Sequence, residues 1–256
     1  MRSRRPRSAR ARRARRPARA LALLLALAGA SSVRAAAGAD ADLPGLDEEA
    51  WRAVTFPRIP RHTVYEREGS GADAVVRATS ECAASALAAA AGGIDLARTP
   101  ILHWRWRVDD ASPPAADPRT RAGDDAPARV YALFAFDPAR ASVWERARHA
   151  LGRTLFGEEL PGSAIAYVVS AREPAGSAWD NPYTAGSQVV SRGPLPPGVW
   201  REEQADVERD YRARFGAPPP RLVGVGIMSD TDDGCGRARA RFGGLRFAPR
   251  PGAAAR

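Results

Sequence analysis

The sequence predicts an all-β fold with minor α: a two-sheet antiparallel, jelly-roll-like β-sandwich with one or two peripheral helices. Three observations carry that prediction. Residues 101–108 (ILHWRWRV) alternate, with Leu102, Trp104, Trp106 and Val108 on one face and Ile101, His103, Arg105 and Arg107 on the other. Residues 129–136 are apolar on both faces, as in a strand covered by a second layer. Further short strand-like runs (62–68, 74–80, 163–171, 221–228) stand beside Gly, Pro, Asp or Ser.

The first 37 residues read as a secretory signal and its cleavage region. Ten arginines crowd the first nineteen positions, an apolar run follows at 20–30, and small residues continue to Ala39. That run has 11 residues, against about 20 needed to span a bilayer, so no membrane span is expected after cleavage. A basic nucleic-acid-binding tail is the other reading, and the apolar run argues against it. The leader also explains the formal net charge of +10. All 39 basic residues are arginine, and eleven lie at or before Arg34, where no Asp or Glu occurs. The remaining 28 face 29 acids, a net charge of about −1, which removes the compositional case for a nucleic-acid partner. A periplasmic or secreted location is expected.

Residues 38–60 read as a lead-in with partial order, 61–249 as the sandwich domain and 250–256 as a disordered tail. Gly69-Ser70-Gly71 turns 62–68 into 74–80, a hairpin. Residues 83–91 are helical by composition and a small-residue strand by their surroundings, and both readings stand. The strands at 101–108 and 129–136 are expected to pair inside the double layer and leave aspartates at its rim. Trp104 and Trp106 could form a stacking platform, but Leu102 and Val108 bracket them on the same face, which favours core. Asp137-Pro138 ends the second strand.

Trp144, Ala147, Leu151 and Leu155 recur at helical spacing, predicting a helix near 141–155 that caps the sandwich. A second helix is predicted over 200–215. Val207, Tyr211 and Phe215 form its stripe, Glu202, Glu203 and Asp206 stand early, and Arg212 and Arg214 stand late. Gly216 and three prolines end it. Residues 237–247 then alternate arginine with Ala238, Ala240 and Phe242.

Standard catalytic signatures are absent: no G-x-S-x-G, no Walker loop and no H-E-x-x-H. Three histidines make a polyhistidine metal centre improbable. Asp230-x-Asp232-Asp233-Gly234 begins like an EF-hand loop, yet Gly234 at position 5 and Arg241 at position 12 exclude one. A looser calcium site could use Asp230 and Asp232 with Asp124 or Asp125; no other cofactor is expected. The favoured reading has these carboxylates capping turns and pairing with Arg105, Arg107 and Arg129. Trp179-Asp180-Asn181-Pro182-Tyr183 sets aromatic faces beside amide and carboxylate groups, a combination suited to carbohydrate. In the competing reading, Trp179 and Tyr183 plug the sandwich end. Cys82 and Cys235 either form a disulfide or remain two buried thiols.

The candidate ligand site is therefore a loop end carrying Trp179, Asn181, Tyr183, Asp124, Asp125, Arg129, Asp230 and Asp232, with no catalytic residue assigned. The function expected is an exported, non-catalytic binding domain for a glycan or other cell-envelope ligand. Its alternatives are a carboxylate-based hydrolase of envelope glycans, or a structural or interaction domain with no small ligand.

LHWRWRV at 102–108, GDDAPARVYALF at 123–134, AYVVS at 166–170, NPYT at 181–184, DYRARFGAPP at 210–219 and GVGIMSDTDD at 224–233 resemble the successive blocks of the bacterial domain of unknown function 3047 family. The closing ARARFGGLRF is similar to that family's last strand, although Gly243-Gly244 stands where an acidic residue is usual. The resemblance spans about residues 60–248. It implies the exported location and the fold, and transfers no mechanism, since the family has no established activity.

Overall fold

The computed structural model describes residues 43–139, 161–184 and 186–252. The signal region at 1–37 and the helix expected near 141–155 lie outside the described residues. Five strands come first: β1 (Arg52–Val54), β2 (Val64–Glu68), β3 (Val75–Glu81), β4 (Ala84–Ala90) and β5 (Ile101–Ala111). β6 (Ala126–Ala135), β7 (Pro161–Val168), β8 (Ala178–Asp180), β9 (Ser187–Ser191) and β10 (Arg201–Asp206) follow. Helix α1 (Val207–Phe215), β11 (Leu222–Asp230) and β12 (Arg237–Ala248) complete the described elements.

The strands form a seven-stranded sheet, in the order β1-β4-β11-β6-β7-β9-β8, and a five-stranded sheet, in the order β10-β5-β12-β3-β2. The two-sheet sandwich with a helix is thus the observed fold. One pairing departs from the antiparallel expectation: β7 and β9 run parallel. The chain between them contains β8, which folds back antiparallel onto β9 and gives the crossover length that a parallel pair needs.

Trp104 and Trp106 are core, each 0% exposed, meeting edge to face at 5.3 Å between ring centres. Trp104 also meets Tyr167 of β7 across the sandwich, tilted by 34° at 5.3 Å between ring centres. The expected pairing of the tryptophan strand with its phenylalanine-rich neighbour is corrected here. β5 bonds to β10 and β12, whereas β6 bonds to β11 and β7. The two strands therefore belong to opposite sheets, which lets the Trp104 and Trp106 face pack toward Val130, Ala132 and Phe134 in one core.

The open reading of residues 83–91 is resolved, and the helix expected over 200–215 is shortened. Residues 84–90 are a strand: small side chains let β4 lie close between β1 and β11, where a Cβ on Gly224 would meet the Ala89 carbonyl at 3.1 Å. The predicted helix over 200–215 begins only at Val207. Residues 201–206 are instead β10, because Arg201, Glu203 and Ala205 pair opposite Trp106, Trp104 and Leu102. Ladder bonds and burial outweigh the helical propensity of that run. The Asp206 side chain caps the helix by accepting from Arg209 N at 3.0 Å, and left-handed Gly216 ends it. The lead-in is part of the sheet through β1, with Trp51 and Phe56 buried, since two large aromatic side chains gain from leaving water. Likewise the expected tail begins anchored, Arg250 binding Asp206 at 2.8 Å and Glu208 at 2.7 Å.

Cys82 and Cys235 form a disulfide between the β3–β4 turn and the β11–β12 turn, 153 residues apart in sequence. Closing a loop of that length stabilises by about 5 kcal/mol in the chain-entropy account. Among the described residues no helix is long and apolar enough to cross a membrane.

Candidate functional site

The acidic residues separate in sequence are collected at the end of the sandwich where β6 begins and β11 ends. A short helical turn at Arg121–Gly123 delivers Asp124 and Asp125 to that end. Gly123 is required there, since a Cβ would stand 2.3 Å from the Asp117 carbonyl. β11 delivers Asp230 beside Ala126 of β6.

Arg129, 2% exposed, is the electrostatic centre. Its Nε and Nη2 donate to Asp230 at 2.7 and 2.9 Å, and Nη2 also donates to the Asp124 carboxylate at 3.2 Å and to its carbonyl. Ala126 N donates a further bond to Asp230 at 3.2 Å. Asp125 accepts from Asp233 N at 3.0 Å and Gly234 N at 2.7 Å, so it caps the acidic turn. Asn181 Nδ2 donates to Asp124 at 3.2 Å, while its Oδ1 accepts from the amides of Tyr183 and Thr184. The Tyr183 hydroxyl donates to Asp233, and the Arg121 guanidinium lies 5.2 Å above the Tyr183 ring.

The structure brings together seven of the eight predicted residues: Asp124, Asp125, Arg129, Asp230, Asp232, Asn181 and Tyr183. One oxygen each from Asp125, Asp230 and Asp232 lies within 4.8 Å of the others. Trp179 is the exception. It is 8% exposed among Ala126, Ala166, Val168 and Val189, with the Arg119 guanidinium 5.4 Å over its ring. Its ring face is not presented to a ligand. The aspartates are also less of a rim than expected, Asp124 and Asp230 being buried. Arg129 pairs with them as anticipated, but Arg105 and Arg107 do not: Arg107 binds Asp109 at 2.6 Å, and Arg105 lies 5.1 Å over Trp200. Sequence reasoning missed Asp233 and Arg121. The Asp232-Asp233 doublet was visible, but only the fold puts Tyr183 within reach of it.

Two cavities of about 240 Å³ each adjoin the cluster. Asp230, Thr231, Pro114 and Arg237 line one, Pro113, Pro118, Arg172 and Leu195 line the other, and Asp125 and Pro127 face both.

Asp124 and Asp230 bind the buried guanidinium, and burial together with the neighbouring carboxylates appears in the acidities of four residues at this end. Burial pushes Asp230 up, to about 8, against the pull of Arg129. Burial raises Asp233 to about 6; the bond from Tyr183 opposes the rise and the charge of Asp232 adds to it. Asp124 and Asp232 are also raised, again chiefly by burial. A carboxyl raised on folding stabilises the fold below its ordinary value near 3.8 and loses that contribution as pH rises through its folded value. Thermal stability is therefore expected to fall from pH 5 to pH 8. Asp206, Glu208 and Glu173 are lowered and act only below their ordinary values; His103, lowered from 6.5 chiefly by burial, opposes the trend only below that value, against two carboxyls raised to about 6 and about 8. In Asp233→Asn the part of the slope between about pH 4 and pH 6 should flatten. Calorimetry across this range checks it; a Tm that climbs steadily with pH contradicts it.

A calcium ion at Asp125, Asp230 and Asp232 would have to compete with bonds already made. Both Asp230 oxygens are held by Arg129, and both Asp125 oxygens by backbone amides. That donor set fits turn-capping and ion pairing better than a resident cation.

Solved structures similar in outline include the K2 cleaved adhesin domain of Lys-gingipain (11% identity, TM-score 0.37, covering 81% of this chain and 99% of that one). A xyloglucanase domain of NopAA, a type three effector from Sinorhizobium fredii, is 8% identical at TM-score 0.39, with 81% and 98% covered. The native family 12 xyloglucanase from Bacillus licheniformis is 11% identical at TM-score 0.40, with 82% and 100% covered. Likeness this distant carries no argument about the site. No curated protein matches the chain. Residues 49–246 match the sequence model of a family described as "Protein of unknown function (DUF3047)".

Proposed function

Because the chain belongs to the DUF3047 family, whose description names no activity, we propose its function from its own geometry: an exported, non-catalytic binding domain for a glycan or other hydroxyl-rich cell-envelope ligand. The observation that carries this reading is a cluster of five carboxylates, two of them bound to one buried guanidinium, beside two cavities. Such a site is rich in acceptors and poor in donors, so it suits a ligand that brings O–H donors of its own. Export is supported by the arginine-rich leader with its short apolar run, and by the disulfide.

The engagement of the cluster's carboxylates supports binding over hydrolysis. Paired-carboxylate catalysis needs one group as acid and another as base or nucleophile on opposite sides of the scissile bond. Here Asp230 and Asp125 are engaged on both oxygens, and Asp232 and Asp233 are neighbours in one turn. The hydrolase alternative draws on Asp233, raised to about 6 and so suited to a general acid.

A glycan array and a hydrolysis screen on the purified chain separate these readings. Binding without turnover, lost in Asp232→Asn and Tyr183→Phe, is the expected result. Turnover abolished by Asp233→Asn would establish the hydrolase, and neither binding nor turnover would sink both in favour of an interaction domain. The site is expected to work without calcium, so millimolar calcium or EDTA should leave Tm unmoved; a rise of several degrees with calcium would contradict that.

A further inference from the structure

The Cys82–Cys235 bond stands at the surface, where it fixes the turn that shapes the acidic cluster. Cys235 is exposed and Cys82 half-buried. A cavity of about 300 Å³ opens on the disulfide, lined among others by Glu81, Asp110, Ser112 and Arg237. Cys82 and Cys235 have φ of 45° and 50°, and among the described residues no other non-glycine residue has positive φ. Side-chain-bearing residues enter that region at a cost, so the cross-link holds two strained turns that cleavage would let relax.

We propose that Cys82–Cys235 is a thiol-exchange site through which a dithiol reductant releases the acidic turn. The release stands on the disulfide's own surroundings; its effect on ligand binding rests on the binding reading above. Between Thr231 and Gly236 the turn supplies Asp232, Asp233 and the two amides that cap Asp125. Cys82 N donates to Gly236 O at 2.9 Å, so the two turns are joined by this bond as well as by the disulfide. Thr231 marks where loosening stops. Its N–H donates to Ala83 O at 3.0 Å and its hydroxyl meets Ser80 at 2.8 Å, both buried, which keeps β4 and β11 together.

In the exchange, a reductant thiolate attacks the exposed Cys235 sulfur, the disulfide breaks, and Cys82 leaves as a thiolate that takes up a proton. The second reductant thiol attacks the mixed disulfide, giving the Cys235 thiol and the oxidised, cyclic reductant. Two electrons and two protons are transferred in all. Glu81 and Asp110 flank the cavity, and Arg237 is engaged by Asp110 at 3.0 Å. That surround favours a neutral dithiol over an anionic thiol such as glutathione.

The test treats the purified chain with dithiothreitol without denaturant, counts alkylated thiols by mass, and follows hydrogen exchange and near-ultraviolet circular dichroism. Two alkylated thiols are expected, with the tryptophan signal retained and amides 232–236 exchanging at least about tenfold faster. The Cys82→Ser/Cys235→Ser double variant should show the same local exchange. Reduction that requires denaturant, reduction that unfolds the whole domain, or a reduced turn as protected as the oxidised one would each overturn the proposal. If the oxidised chain binds no glycan on the array, the binding reading fails, and hydrogen exchange still decides the clasp.

Discussion

Trp104→Ala is expected to cost about 3–5 kcal/mol, the range for deleting a fully buried aromatic side chain. Trp104 is 0% exposed, meets Trp106 edge to face and Tyr167 at a tilt, and has the Arg192 guanidinium 5.6 Å over its ring. Its indole N–H has no hydrogen-bond partner, so the loss comes from packing and the cavity left behind rather than from a broken polar contact. For a domain of this size each kcal/mol moves Tm by roughly 2–4 °C, which puts the fall at about 6–20 °C. Trp200→Ala is the control. Trp200 is half-buried beneath Arg105 and Arg107, at 5.1 and 5.8 Å, and such contacts contribute about 0.5–1 kcal/mol. Urea unfolding compares the two variants. A Trp104→Ala midpoint as mild as that of Trp200→Ala would mean the tryptophan face is not the centre of the core.

That face was legible because alternation is a local property: ILHWRWRV sorts its own side chains. Which sheet a strand joins is not local. β5 and β6 are neighbours in the chain yet sit in opposite sheets, since the connection after Ala111 crosses the end of the sandwich before β6 starts at Ala126. Residues 201–206 were misread for a related reason. Their composition suits a helix, and only the ladder opposite Leu102, Trp104 and Trp106 makes them a strand. The acidic site was half legible. Aspartates in turns are visible in the sequence, but the partnership of Arg129 with Asp230 joins residues 101 positions apart. Trp179 misled because aromatic residues in a loop stretch look available, whereas three residues of that stretch pair with β9 and bury the ring.

Arg129→Met is expected to destabilise by about 3–5 kcal/mol, the cost of leaving buried charge without its partner. The argument rests on the number of groups that depend on one guanidinium. Asp230 is held at both oxygens and Asp124 at its carboxylate and carbonyl, and both are buried. Asp230→Ala should cost less, because Arg129 keeps Asp124 as a counterion. The effect of Arg129→Met should also depend on pH with a definite sign. Burial already raises both carboxyls, and removing the guanidinium, which pulls them down, raises them further. Protonation then relieves the buried charge, so the deficit shrinks toward pH 5 and widens toward pH 8. Adding Asp230→Leu to Arg129→Met should recover part of the loss by replacing a stranded carboxylate with an apolar side chain. Urea unfolding of the three variants at pH 5 and pH 8 decides it. An Arg129→Met protein within about 1 kcal/mol of the parent at pH 8 would mean that this guanidinium does not hold the acidic end together.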